Sequence, residues 1–326
     1  MSINNIDMGN GFAPDFFIIG APKTGTTALH DALAGHPQLY ASPVKEPKFF
    51  LTDGRPDRSG HRGPGDAHSV REWVWQPERY RKLFAGAPAG ALRFESTPFY
   101  LWDKQSHARI ARAAPDAKLI AIIRDPIDRA FSNWTHLRAD GLEPERDFLR
   151  ACRAEAHRIA RGWAPFWRYL ELGRYGEQFN SLFRYFDPAQ VRVIRYRELV
   201  DEPRQTVDEL CAFLGVATGV LPEPPDANVG RWAPDTTVNS VLRRAVRTGA
   251  AAGSLVQPKL WRTAQRPLLA SMQRGRAPRP PLRALERAAL VPQFADDNAL
   301  LCDLLGSNYS DWLELEGNGT YTVRRS

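Results

Sequence analysis

The sequence has few cysteines and no long apolar run, and both shortages exclude classes of protein. Its 326 residues include three cysteines, Cys152, Cys211 and Cys302, which lie far apart and form no C-x-x-C pair. This spacing argues against a disulfide framework or a cysteine-based zinc site. No apolar run reaches the roughly 18 residues that a membrane span needs, and no basic stretch with an apolar core opens the chain as in a signal peptide. We therefore expect a soluble, cytoplasmic protein.

Acidic residues are nearly absent from one segment. Residues 241–290 contain eleven Lys and Arg against one acidic residue, Glu286, while the whole chain carries a net charge of +7. The segment therefore carries +10, and the rest of the chain +7 minus +10, or −3. A basic charge confined to one segment argues against a nucleic-acid-binding surface. It indicates one cationic segment that faces an anionic group.

Short apolar runs alternate with helical patterns along most of the chain. Such runs are typical of strands buried on both faces of a parallel sheet, and we assign three of them: 16–19, 119–123 and 191–194. Helical patterns follow the strands at 26–33, from 126 through 137 and at 204–214, and a last one covers 294–305. The alternation predicts an α/β fold, a central parallel sheet with helices on both faces. We expect one domain over 1–326, with a variable basic insertion at about 217–290 that is irregular at 217–240 and 274–282.

The turn after the first strand has the composition of a phosphate loop. Residues 20–27 read G-A-P-K-T-G-T-T and join a buried strand to the N-terminus of a helix. Free N–H groups and the helix dipole converge on an anion at such a point. The ATPase pattern G-x-x-x-x-G-K-[ST] would place a lysine at position 26, where this chain has Thr26; its lysine, Lys23, lies inside the loop. The loop therefore suits a single phosphate or a phosphosulfate better than a triphosphate with magnesium.

A second anion site follows the strand at 119–123. Residues 124–132 read R-D-P-I-D-R-A-F-S, and Arg124 emerges where ligands bind in open α/β sheets. Ser132 lies eight residues further, about two helical turns, so that it can face the same side. A guanidinium and a hydroxyl suit one phosphate. Two anion sites on neighbouring strand ends fit a nucleotide phosphorylated at both its 5′ and 3′ positions.

These motifs, in their order, resemble the sulfotransferase superfamily. The motifs are P-K-T-G-T-T after the first strand, K-E-P-K-F-F, E-S-T-P-F-Y and R-D-P-x-x-R-x-x-S. V-I-R-Y-R-E-L with D-E-P and F-L-G, and the C-terminal D-N-x-L-L-x-x-L-L-G-x-x-Y-S-D-W, extend the likeness. It is strongest to the branch of heparan sulfate N- and 3-O-sulfotransferases and bacterial members. The resemblance implies a fold like that of P-loop-containing nucleotide hydrolases, with three layers, and transfer of a sulfuryl group from 3′-phosphoadenosine 5′-phosphosulfate (PAPS).

The resemblance also implies roles for individual residues. The 5′-phosphosulfate loop would consist of Lys23, Thr24, Gly25, Thr26 and Thr27. Arg124 and Ser132 would hold the 3′-phosphate, and Lys23 would stabilise charge on the leaving phosphate oxygen. Glu46, in K-E-P-K-F-F, matches a catalytic glutamate of the heparan-type enzymes and would remove the proton of the acceptor. The product would be adenosine 3′,5′-bisphosphate, and no metal is needed because lysine and arginine supply the positive charge.

Several alternatives stay open. A salt-bridged surface turn is the plain interpretation of Glu46, and other candidate bases are His61, His68 and His136. The chain departs from the heparan-type pattern at Ser96, where those enzymes have lysine, and at Lys48, where they often have histidine. Glu95 and Tyr100 would line the cleft or pack at the end of a strand.

The acceptor is expected to be a small molecule, a glycan or a lipid, with no nucleic acid as partner. The basic segment 241–290 has three interpretations: a lid over an anionic acceptor, an element in peripheral contact with a membrane, or a solvated insertion. Two other functions compete with sulfuryl transfer, a small-molecule kinase with a variant P-loop and a nucleotide-binding protein without catalysis. The absence of lysine after Gly25 argues against the kinase.

Overall fold

The computed structural model describes residues 13–57, 63–64, 70–221, 237–256, 263, 267, 269 and 280–314. The chain forms two compact units. Unit 1 comprises residues 1–58, 72–124 and 178–228, and unit 2 comprises residues 59–71, 125–177 and 229–326. The expectation of a single domain stays a prediction.

A five-stranded parallel sheet forms the centre of unit 1. Its strands are β1 (Phe16–Gly20), β2 (Leu39–Ala41), β3 (Leu92–Ser96), β4 (Lys118–Ile123) and β5 (Val191–Arg195). The spatial order is β2-β3-β1-β4-β5, and every neighbouring pair is parallel. The α/β prediction is thus confirmed, and the three assigned strands are correct to within one residue at each end. Strands β2 and β3 complete the sheet.

Helices connect and flank the strands. In chain order, the α-helices of the described residues are α1 (Thr26–Ala34), α2 (Pro77–Lys82), α3 (Lys104–Ala113), α4 (Pro126–Ala139), α5 (Phe148–Arg153), α6 (Glu155–Ala160), α7 (Tyr175–Leu182), α8 (Tyr196–Asp201), α9 (Pro203–Leu214), α10 (Thr237–Val256) and α11 (Ala284–Leu305). Short 3₁₀ turns occupy Phe49–Leu51, Val70–Glu72, Pro165–Trp167, Glu171–Gly173, Pro188–Gln190 and Ser310–Leu313.

The core of unit 1 explains why its strands appear as unbroken apolar runs. All five residues of β1 are buried. Phe16 stacks on Phe94 of β3 with ring centroids 4.7 Å apart, and Ile120 and Ile122 of β4 belong to the same apolar cluster. Leu210, Cys211 and other buried residues of α9 pack on this cluster. With apolar residues covering both faces, no polar alternation is left in the sequence of the central strands.

The C-terminal helix corrects one predicted boundary. The helix expected from Phe294 begins ten residues earlier, at Ala284, and Pro292 lies inside it. Glu286 accepts the backbone N–H of Arg283 at 3.0 Å and its guanidinium at 2.7 Å, which fixes the first turn. Pro292 is exposed, so water can bond the carbonyl that the proline leaves without its helical partner. Proline therefore interrupts one hydrogen bond without ending the helix.

Part of the predicted basic insertion is packed helix. The irregular stretch expected at 217–240 is helical from Thr237 onward. Arg243 is 1% exposed and Val246 is completely buried. A Cβ atom on Gly141 would lie 3.4 Å from the Cα of Arg243 and from the Cβ of Val246, so α10 packs against the turn after α4 within unit 2. Most of residues 257–279 lie outside the described residues, and the three interpretations of segment 241–290 stay predictions.

None of the helices in the described part of the chain is both long and apolar enough to span a membrane.

Candidate functional site

The predicted phosphate loop lies between β1 and α1 in unit 1. Gly25 precedes the first residue of the nine-residue helix α1 and adopts a left-handed conformation with φ 87°. The Thr24 hydroxyl donates to the carbonyl of Ala21 at 2.7 Å and closes the loop on itself. Lys23, half-buried, also has a positive φ of 71°. The first N–H groups of α1 are therefore presented beside a lysine, which is an arrangement that binds an anion.

Glycine is required at two positions of this loop. A Cβ atom on Gly20 would lie 2.6 Å from the Cβ of Leu101, closer than atoms in proteins approach. A Cβ atom on Gly25 would lie 3.1 Å from the ring of Tyr196, in a conformation that side chains disfavour. Tight packing beneath the loop thus fixes its shape in advance of any ligand.

A second lysine reaches the phosphate loop from the segment 45–50. The ammonium group of Lys45 donates to the hydroxyl of Thr27. Burial lowers the pKa of Lys45, while the charges of Glu46 and Asp31 act in the opposite direction. Lys45 is not among the site residues predicted from the sequence. Its position next to Glu46 in K-E-P-K was the available signal, but nothing in the sequence shows that this segment reaches Thr27.

Glu46 lies in a loop with an unusual backbone. Its φ is 55°, and that of Lys48 is 60°. Within the described residues, the non-glycine residues with positive φ are Lys23, Glu46 and Lys48, which all belong to these two loops. Conformations of this kind cost about 1–3 kcal/mol each and concentrate at functional sites. The Lys48 ammonium lies 3.7 Å from the Glu46 carboxylate, and Lys48 is 7% exposed.

A buried carboxylate lies at the end of β3. Glu95 is completely buried and accepts hydrogen bonds from the hydroxyls of Thr97 at 2.7 Å, Tyr100 at 2.8 Å and Tyr80 at 2.9 Å. Burial raises the pKa of Glu95 to about 7; the three hydroxyls act against this rise, and the charge of Glu46 adds to it. Tyr100 is also completely buried. Of the two roles considered for Glu95 and Tyr100, the structure supports packing at the strand end.

Ser96 is buried beside a histidine. Its hydroxyl lies 2.7 Å from Nδ1 of His30, and burial lowers the pKa of His30, with the charge of Lys45 acting in the same direction. His30 therefore lies beside the position that carries lysine in the heparan-type pattern.

Arg124, the last residue of unit 1, lies directly after β4. Its guanidinium carbon is 4.8 Å from the centre of the Tyr196 ring, a cation–π contact. The same ring lies against Gly25, so Tyr196 at the start of α8 contacts both the predicted phosphate loop and Arg124. Tyr196 belongs to V-I-R-Y-R-E-L, a motif of the family resemblance that was not predicted to be part of the site.

The remaining segment of the second anion motif belongs to unit 2. Asp125 caps α4 by accepting the N–H groups of Ile127 at 2.8 Å and Asp128 at 3.0 Å. Burial raises the pKa of Asp125 to about 6; the charge of Asp128 adds to the rise, and Arg287 opposes it. Ser132 is half-buried on the same helix. Its cooperation with Arg124 stays a prediction.

Arg287 of α11 holds this helix start within unit 2. Its guanidinium donates to Asp125 and to the carbonyls of Trp312 at 2.5 Å and Glu314 at 2.8 Å. Arg287 is 3% exposed. Arg287, one of the basic residues of segment 241–290, is therefore buried and paired with the residue that caps α4.

The histidines considered as bases have different positions. His61 and His68 lie outside the described residues. His136 lies on α4, and its Nε2 atom is 3.5 Å from the carboxylate of Asp140, four residues further on the helix. This pairing is typical of a helix surface.

The chain resembles known sulfotransferases in sequence and structure. It is 30% identical to mouse heparan sulfate glucosamine 3-O-sulfotransferase 3A1 over 65% of this chain and 48% of the relative. It is 29% identical to human bifunctional heparan sulfate N-deacetylase/N-sulfotransferase 3 over 62% of this chain and 22% of that protein. The chain thus spans about half the length, or less, of these relatives. The crystal structure of a sulfotransferase from Alicyclobacillus acidocaldarius is similar with a TM-score of 0.71 and 29% identity, over 93% of this chain and 99% of that one.

The sequence model of the sulfotransferase family matches residues 14–219, more than half of the chain. This range contains the phosphate loop, the Glu46 loop and the segment 124–132. The likeness in sequence and the parallel sheet agree, and the fold that the motifs implied is confirmed. The chain belongs to the sulfotransferase family.

Proposed function

We propose that the protein transfers a sulfuryl group from PAPS to a hydroxyl or an amine of a small-molecule, glycan or lipid acceptor. The observation that carries the proposal is the phosphate loop of unit 1, with Lys23 and Lys45 beside the N-terminus of α1. Two lysines and free N–H groups fit a phosphosulfate, whose charge is spread over several oxygens. The absence of a lysine at position 26 is compatible with this ligand.

The residues of unit 1 divide the chemistry between them. When bound, PAPS supplies a sulfuryl group on a good leaving group, adenosine 3′,5′-bisphosphate. Glu46 takes the proton of the acceptor as the acceptor oxygen or nitrogen forms its bond to sulfur and the bond from sulfur to the phosphate oxygen breaks. Lys23 stabilises the negative charge that this oxygen gains. Arg124, which lies against the ring of Tyr196, holds the 3′-phosphate.

The donor site is tested by isothermal titration of the wild type and Arg124→Ala with adenosine 3′,5′-bisphosphate, 5′-AMP and ATP with magnesium. We expect the wild type to prefer the bisphosphate and Arg124→Ala to bind it about 10- to 100-fold more weakly, because a charge-assisted contact is lost. Binding of 5′-AMP should change little. Arg192→Ala is the matched control, since Arg192 forms an exposed pair with Glu209 at 2.6 Å. Binding of ATP with magnesium and indifference to the 3′-phosphate would support a kinase instead.

The base is tested by the turnover of radiolabelled PAPS with Glu46→Gln. We expect kcat to fall by about 100-fold or more, because an amide cannot accept the proton of the acceptor, while bisphosphate affinity is retained. Glu78→Gln, an exposed change on α2, is the matched control. Unchanged turnover in Glu46→Gln would remove Glu46 from the mechanism. Normal bisphosphate binding without turnover in the wild type, for every acceptor class tried, would favour a nucleotide-binding protein.

A further inference from the structure

We propose that Glu95 is a positioning residue that holds the loop of Glu46 through the hydroxyls of Thr97 and Tyr100. The inference rests on the proposed role of Glu46 as the base. It assigns a task to a carboxylate that is completely buried and cannot touch the acceptor itself.

Alternate backbone amides of the loop are bonded to the last residue of β3 and to the segment that follows it. The N–H of Glu46 donates to the carbonyl of Ser96 at 3.1 Å. The N–H of Lys48 donates to the Thr97 hydroxyl at 3.3 Å, and the N–H of Phe50 donates to the Tyr100 hydroxyl at 3.2 Å. Two of these three attachments therefore end on hydroxyl oxygens.

Glu95 fixes the direction of both hydroxyls. A hydroxyl has one hydrogen, and those of Thr97 and Tyr100 are directed at the Glu95 carboxylate at 2.7 and 2.8 Å. Each oxygen then has lone pairs left to accept the amide of the loop. An ionised carboxylate is suited to this task because it accepts at both oxygens and donates at neither. An amide side chain at position 95 would direct hydrogens at one of the two hydroxyls and reverse its direction.

The loop needs such support. Glu46 and Lys48 have φ values of 55° and 60°, in a region that non-glycine residues rarely occupy. Conformations of this kind persist where the surrounding structure over-determines them. We infer that releasing the amides of Lys48 and Phe50 lets the loop relax toward common backbone angles. Glu46 then moves away from the position that the base requires.

The charge state of Glu95 supplies a readout that a merely structural group would not. Among the described residues, the titratable groups that act on Glu95 are Glu46 from the loop, Tyr80 from α2 and Tyr100 from the segment after β3, and Arg93 of β3 acts on Tyr80. Because the pKa of Glu95 is raised to about 7 by burial, its proton is bound at lower pH. When Glu95 is protonated, one of its oxygens becomes a hydrogen-bond donor, and one of the hydroxyls can no longer donate its hydrogen to that oxygen. We therefore expect kcat to fall as the pH decreases through about 7.

The experiment compares Glu95→Gln, Thr97→Val and the double variant, with Glu155→Gln as control. Glu155 is a buried glutamate of unit 2 that accepts the N–H groups of Leu170 and Glu171. We expect kcat of Glu95→Gln to fall about 10- to 100-fold with bisphosphate affinity unchanged, because a small displacement of a catalytic group has an effect of this size. The decrease of kcat near pH 7 should disappear. The double variant should be about as slow as the slower single variant, because Glu95 acts through Thr97.

Hydrogen exchange at the amides of Lys48 and Phe50 separates this proposal from the proposed function. Faster exchange at these amides in Glu95→Gln supports the positioning role of Glu95. This holds even if Glu46→Gln retains full turnover, because that result would contradict only the role of Glu46 as the base. Unchanged exchange and unchanged kcat in a folded Glu95→Gln protein overturn the proposal. If Glu95→Gln does not fold, Thr97→Val decides in its place: normal turnover and normal exchange at Lys48 would overturn it.

Discussion

Two glutamates in the described part of the chain, Glu95 and Glu143, are completely buried, and their surroundings differ in charge. Glu143 of unit 2 accepts two hydrogen bonds from the guanidinium of Arg158, at 2.8 and 2.9 Å, and one from the hydroxyl of Tyr169. In the described part of unit 1, the groups that donate to Glu95 are three neutral hydroxyls. One buried charge is compensated by a cation, and the other is solvated by dipoles alone.

This difference separates a structural carboxylate from one that can respond to its surroundings. A bidentate guanidinium pair is strong and directional, and breaking it leaves a bare buried charge. Hydroxyl dipoles offset less of the cost of burial, and the pKa of Glu95 accordingly rises to about 7. Glu95 lies next to the loop with positive φ angles, whereas Glu143 joins α6 to the turn after α4. This contrast is the basis for proposing a positioning role for Glu95 and a structural role for Glu143.

The largest expected effect breaks the compensated pair. Arg158→Met should lower the free energy of unfolding by about 3–5 kcal/mol, because Glu143 remains buried without its partner. Arg150→Met on the exposed face of α5 should change it by about 0.5 kcal/mol or less. Denaturant titration of both variants measures the difference. A loss of less than about 1 kcal/mol in Arg158→Met would mean that Glu143 is not held as a structural charge.

A smaller effect is expected from the uncompensated carboxylate, and it depends on pH. The pKa of Glu95 is about 7 in the folded protein against an ordinary value of 4.5, so the folded state retains a proton that the unfolded state has lost. The contribution of Glu95 to the free energy of unfolding is therefore highest below about pH 4.5, and it decreases as the pH rises to about 7. The decrease amounts to about 3 kcal/mol, at 1.36 kcal/mol for each pH unit.

The measurement is the free energy of unfolding between pH 4.5 and 8 for the wild type and Glu95→Gln. The variant has no ionisable group at this position, so the stability difference between variant and wild type should shift by about 3 kcal/mol in favour of the variant across this range. Parallel curves for the two proteins would show that Glu95 does not titrate in the folded state. Together with the loss of activity expected above, a relative gain in stability would demonstrate that Glu95 serves function at the expense of folding.

The sequence was sufficient wherever the signal is local. Lys23, Gly25 and Thr27 lie within five consecutive residues, and an apolar run before them and a helical pattern after them define a strand–loop–helix unit without further information. The strands β1, β4 and β5 were assigned for the same reason, because burial on both faces gives an unbroken apolar run. Strand β3 has the sequence L-R-F-E-S, and its polar residues concealed it.

Contacts between distant segments could not be predicted. Lys45 meets Thr27 across 18 residues, and Arg287 meets Asp125 across 162 residues. The sequence gives no indication that Arg243 and Arg287, of the eleven basic residues of segment 241–290, are buried. The start of α11 was predicted too late for a related reason. In a local sequence pattern a proline indicates the end of a helix, whereas the free-energy cost of Pro292 within the helix depends on whether it faces water.

The sequence by itself determined the fold class, the strand–loop–helix unit at the predicted phosphate loop and the order of motifs that places the chain among sulfotransferases. These depend on residue type and spacing along a few turns of chain, where sterics and hydrogen-bonding capacity act locally. The tertiary structure alone decided that Glu46 and Lys48 occupy left-handed backbone angles and that Glu95 is surrounded by hydroxyls from three positions. Burial and the pKa of a carboxylate are properties of everything packed around it, and that environment exists only once the chain has folded.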